Sequence, residues 1–138
     1  MPIQYPYDAS MLLHDGAAAV TSSAAGVVAS AAKVFDTEST TTPVGRFPVA
    51  VVINISALDV ADGNETYDLI FEGSNSATFA SGNQQLGSIV VGATGRYTIL
   101  ADNEQGGTVY RYFRIRAALA GTTPSITYVA FMAPAVVV

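Results

Sequence analysis

The sequence predicts an all-β protein: a single antiparallel β-sandwich, jelly-roll-like, with an extended N-terminal arm. Three observations carry this prediction. The apolar half of the chain is built largely from Ala (22 residues) and Val (16), small and β-branched side chains that suit close-packed pleated strands better than a Leu-built bundle. Several runs alternate apolar and polar residues with period two. Gly, Pro, Asn and Asp clusters punctuate those runs at regular intervals, as in sandwiches and barrels.

Residues 1–16 (MPIQYPYDASMLLHDG) read as the arm, and 17–138 as the sandwich. Pro2 and Pro6 interrupt regular pairing, whereas Tyr5, Tyr7, Met11, Leu12 and Leu13 are too apolar to stay in water. Such a terminus docks either on its own domain or on a neighbouring chain. Val27–Phe35 is a strand candidate whose Ala content also permits helix, and Thr37–Gly45 is a loop. Phe47–Leu58 alternates, with Phe47, Val49, Val51, Ile53 and Ile55 on one face and Asn54 and Ser56 on the other. Asp59–Asn64 is an Asp-Gly turn leading into Thr66–Glu72, where Tyr67, Leu69 and Phe71 oppose Asp68 and Glu72. A polar loop containing Phe79 spans Gly73–Gly82, and Gly92–Gly95 reads as a hairpin turn. Further strands are expected at Gln85–Val91, Arg96–Ala101, Val109–Leu119 and Ile126–Ala133.

Val109–Leu119 carries the most information. It sets Val109, Phe113, Ile115, Ala117 and Leu119 on one face and Tyr110, Tyr112, Arg114 and Arg116 on the other, with Arg111 as a charge on the apolar face. Tyr and Arg dominate contact hot spots, so this ladder is a candidate interface. The alternative is a solvated face whose arginines pair with Asp68 or Glu72 on a neighbouring strand.

Composition excludes several functions. Six basic residues against eleven acidic ones, net −5, do not supply the clustered positive charge that phosphates require, so no direct nucleic-acid binding is expected. No stretch is long and apolar enough to span a membrane, and residues 1–13 lack the basic start of a secretory signal, so the chain is expected to begin at its mature N-terminus. There is no Cys to form a disulfide, and one His (His14) rules out multi-His metal sites. No catalytic set, cofactor loop or metal site emerges, and the chain is read as a non-enzyme. His14 lies in the arm, there is no G-x-S-x-G elbow, and the carboxylates Asp59, Asp62, Glu65, Asp68, Glu72, Asp102 and Glu104 fall mostly in turns. Asp59, Asp62, Asn64 and Glu65 gather oxygens that could clasp calcium, but their spacing fits turn chemistry better.

Three stretches resemble the small capsid cement (decoration) proteins of tailed bacteriophages: MLLHDGAAAVTSSAAGVV, VGRFPVAVVINISALDVADGNETYDLIFEGSNSATF and RYFRIRAALAGTTPSITYVAFM. The resemblance implies a β-sandwich on the outer surface of a phage head, with the major capsid protein as partner and self-assembly as a homotrimer. Its role would be mechanical, tying neighbouring capsid subunits together against the pressure of packaged DNA. The interface residues expected on this reading are Tyr5, Tyr7, Met11, Leu12, Leu13, Tyr110, Tyr112, Arg114 and Arg116. The competing expectation is a carbohydrate- or receptor-binding β-module of a fibre or tail, with Tyr110 and Tyr112 lining its groove.

Overall fold

The structure, a computed structural model, describes residues 9–38 and 48–134. A short 3-10 turn, Ala9–Met11, leads into β1 (Leu12–His14), β2 (Ala24–Ala25), β3 (Val27–Val28), β4 (Ala31–Ala32) and β5 (Phe35–Asp36). The long strands follow: β6 (Pro48–Leu58), β7 (Thr66–Ser74), β8 (Gln84–Val91) and β9 (Gly95–Asp102). A small hairpin, β10 (Glu104–Gln105) and β11 (Thr108–Val109), precedes β12 (Tyr112–Ala120) and β13 (Ile126–Pro134).

One sheet runs β1–β13–β6–β9 and the other β2–β12–β7–β8, with β5 also pairing β12. β2 and β5 oppose successive parts of β12, Ala24–Ala25 against Ala117 and Arg116 and Phe35–Asp36 against Phe113 and Tyr112, so they are halves of one edge strand. The β3–β4 hairpin loops out between them. Numbering the sheet strands 1 to 8 as β1, β2/β5, β6, β7, β8, β9, β12 and β13, the sheets read 1-8-3-6 and 2-7-4-5. This is jelly-roll order, two interlocked Greek keys.

The core follows from the alternation. Val49, Val51, Ile53 and Ile55 of β6, with Tyr128 beside them on β13, face Leu69, Phe71, Phe113 and Ile115 of the other sheet, and all are buried. The Phe71 and Phe113 rings stack at 5.4 Å on paired strands. Each such side chain removed from water contributes about 1.5–3 kcal/mol. Tyr67 is buried with its hydroxyl satisfied: it donates to the Asp59 carbonyl and accepts from the Ser125 amide at 3.0 Å, tying the β6–β7 turn to the start of β13.

The strand alternative holds at Val27–Phe35, which contains β3, β4 and the start of β5. Three expectations are corrected. Residues 9–16 are not all arm, because Leu12–His14 pair with Phe131 and Ala130 as a sheet edge. Gly92–Gly95 is not a hairpin turn within one sheet, since β8 and β9 lie in different sheets and the turn carries the chain across the sandwich. The strand expected from Val109 begins at Tyr112: Asn75 accepts from the Arg111 amide and donates to the Val109 carbonyl, which ends regular pairing there. Tyr5, Tyr7 and Phe47 lie outside the described residues.

Candidate interaction surface

The outward face of the β2–β12–β7–β8 sheet is set by register. Arg114 lies opposite Glu72, Arg116 opposite Ile70 and Ser88, and Ala118 opposite Asp68 and Val90. Glu72 is buried beneath this ladder at 5% exposure. Arg114 Nε donates to Glu72 Oε1, and Arg116 Nε approaches Oε2 at 3.5 Å. The Arg114 guanidinium also lies 4.3 Å from the centre of the Phe79 ring. Phe79 is buried and holds a positive φ of 55°. Its loop is folded by hydrogen bonds from Ser74 Oγ to the Ser81 carbonyl and from Asn83 Nδ2 to the Phe79 carbonyl. The intrachain alternative for the ladder is therefore realised at Glu72, with an aromatic lid that sequence reasoning did not assign. A single Phe in an otherwise polar loop was its only trace.

Two arginines and two carboxylates, Glu72 and Asp68, make this face electrically balanced. Its apolar members are Ala118, Ile70 and Val90, and Val90 is 72% exposed. The outer face of the other sheet carries two uncharged rows, Leu12, Phe131, Val52 and Thr98 in one and Ala133, Ala50 and Leu100 in the next, flanked by Arg96 beside Asn54 and Asp102 beside Pro48. Leu100 is 70% exposed. Ile70, Ala50, Val52 and Ala133 are themselves buried, so the apolar area that the two faces present rests on exposed Val90 and Leu100 with partly exposed Leu12 and Phe131.

The expected interface residues divide. Met11, Leu12, Tyr112, Arg114 and Arg116 are partly exposed. Leu13 and Tyr110 are corrected: both are buried in the core cluster. Leu13 is the inward residue of β1, and Tyr110 turns inward because the strand phase breaks at Arg111, its amide donating to the Asn103 carbonyl at 2.9 Å. Arg111 does not sit on the apolar face. It makes a two-pronged contact with Asp36 at 2.8 and 3.0 Å, and this bond, with the Glu38 amide, holds the Asp36 carboxyl below its ordinary value.

A second cluster gathers around the edge strand β1. His14 Nδ1 accepts from the Val27 amide at 3.0 Å, and the ring stacks on Tyr128 at 4.1 Å. His14 Nε2 and the Tyr128 hydroxyl are buried without partners. Asp15 accepts from the Ala17 and Ala29 amides at 3.0 and 2.8 Å. Ala29 and Ser30, the two residues turning β3 into β4, have φ of 52° and 65°, which L side chains adopt at a cost. An open cleft of about 290 Å³ beside them is lined mostly by Ala, Val, Ser and Thr, with His14 and Asp15 at one side. Gly26 is required here: a Cβ at that position would lie 2.2 Å from the Leu13 carbonyl oxygen.

The acidic turn makes backbone and side-chain bonds of its own. Asp59 accepts from the Ala61 amide, Glu65 from the Asp62 amide, and Asn64 exchanges hydrogen bonds with Thr122. Among the described residues, no three His, Cys, Asp or Glu side chains are grouped to hold a metal ion. No helix among them is long and apolar enough to cross a membrane. Comparison with known protein families, with curated proteins and with solved structures finds no match to this chain.

Proposed function

We propose that this chain is a structural virion protein that binds the outer surface of a phage head and cements neighbouring major capsid subunits. It does so as a homotrimer, carried on the exterior of the virion. The observation that supports this reading is the make-up of the two outer sheet faces. The ladder arginines that could attract an anionic ligand are committed to Glu72, and exposed Val90 and Leu100 stand on faces that carry charges of both signs, Asp102 beside Leu100 along β9 and Arg96 two rows away. Jelly rolls occur in capsid proteins and in lectins alike, so topology is compatible with this role without assigning it. The glycan-binding alternative loses half of its aromatic platform, since Tyr110 is buried.

The mechanism is additive contact. Each copy lays modest apolar area across a seam, and repetition over a lattice multiplies weak contacts. Internal pressure must then break many of them together before the shell opens.

Co-sedimentation with heads of the encoding phage tests this. Val90→Asp and Leu100→Asp place a charge on each face without touching the core. If the faces carry binding, at least one should weaken head association about tenfold or more. Deleting residues 1–8, which spares β1, tests the arm. Association as tight as wild type for all three variants would refute the proposal, and light scattering showing a monomer at concentrations that saturate heads would refute the trimer.

A further inference from the structure

We infer that His14 is a proton-sensitive latch: protonating its imidazole releases β1 and the β3–β4 hairpin from the sandwich while the central strands remain folded. The geometry leaves no place for a second ring proton. Nδ1 accepts the Val27 amide hydrogen, so the neutral ring carries its proton on Nε2. A proton added at Nδ1 would point at that amide, donor against donor. Nε2 is buried without an acceptor, and although His14 borders the open cleft only 4% of it is exposed, too little to hydrate the cation.

The groups around the ring do not rescue the cation. Asp15 is the neighbouring carboxylate, and it is committed to the Ala17 and Ala29 amides. Tyr128 of β13 stacks on the ring and contributes a neutral face. Val27–Ala32 of the hairpin has no ionisable side chain, with Lys33 following it. On β12, Arg116 lies on the outward face with Glu72. Burial accordingly pushes His14 below its ordinary value, and attraction to Asp15 opposes this without prevailing.

The sign follows. A group depressed in the fold contributes its full stabilisation above its unfolded value, about 6.5, and loses it as pH falls through the folded value. The backbone bonds to Asp15 hold its carboxyl low, so it keeps its charge through that window. The latched segment is also lightly secured. Its strands are two or three residues long, against eight to eleven for β6–β9. Local opening there leaves most of the sheet bonding intact.

Amide hydrogen exchange on the full chain from pH 7.5 to 5.0, corrected for intrinsic rates, tests the inference. Protection at Val27 and Ala29 should fall by up to about tenfold per pH unit below about pH 6.5, while Ile53 and Phe71 hold theirs. His14 is the only histidine, so a midpoint near neutrality belongs to one ring. His14→Asn places an amide oxygen near the Nδ1 position but takes up no proton, and should flatten the profile. Should that variant fail to fold, nitrogen shifts of the wild-type ring decide instead. They should show the Nε2-protonated neutral form at pH 7 and a titration coincident with loss of protection at Val27. PH-independent protection at Val27, a falling profile in a folded His14→Asn variant, or ring titration without change at Val27 would each overturn the latch.

Discussion

Replacing Glu72 by Gln removes one charge from the outer face of the sandwich and keeps the shape of the side chain. Its consequence follows from the surroundings of the carboxylate. Glu72 is 5% exposed and faces two guanidiniums, one of them held against Phe79. Breaking a buried ion pair from one side costs about 3–5 kcal/mol, chiefly because the remaining charge is left uncompensated. Here Arg114 and Arg116 keep side-chain exposures of 20% and 36%, so both can regain water. The expected loss is therefore nearer the strength of charged hydrogen bonds, about 2–3 kcal/mol. With a urea dependence of about 2 kcal/mol per molar, the unfolding midpoint should fall by about 1–1.5 M with an unchanged slope. A double-mutant cycle with Arg114→Gln should return a coupling of about 1–2 kcal/mol, largely insensitive to salt. A midpoint shift below about 0.3 M would mean that Glu72 is hydrated and the arginines are free. That outcome would restore the ladder as an open cationic surface.

Two further substitutions probe the N-terminal edge. Gly26→Ala sets a methyl 2.2 Å from the Leu13 carbonyl oxygen and 2.6 Å from Ile115 Cγ2, and should cost about 3 kcal/mol or more. A thermal midpoint within a degree of wild type would deny that close approach. Replacing Ala29-Ser30 by Asn-Gly gives the two left-handed positions residues that occupy them without strain, for a gain of about 1 kcal/mol. Calorimetry should show Tm rising by about 3–6 °C, and no rise would contradict the turn geometry.

The long strands were legible because alternation is a local signal. β6, β7, β8, β9 and β13 lie within about two residues of their expected bounds, and in β12 Phe113, Ile115 and Ala117 are buried while Arg114 and Arg116 point outward. The edge strands were not legible. Ala24–Ala25 and Phe35–Asp36 are too short to show a period, and only hydrogen bonds to β12 make them strands. Tyr110 and Phe113 are both buried although they stand an odd three positions apart, because Asn75 ends the pairing at Arg111 and shifts the phase. The pairing of the ladder was foreseeable as one of two options, since Glu72 sits on the neighbouring strand. What decided it was the fold of the Phe79 loop, and no sequence period encodes that contact.

Electron cryomicroscopy of phage heads assembled with this chain addresses the proposed role most directly. Trimeric density of this chain, lying on the shell exterior and bridging adjacent capsid subunits through a face bearing Val90 or Leu100, is the expected result. A solitary copy on a fibre or tail, or shells that bear none, would contradict it.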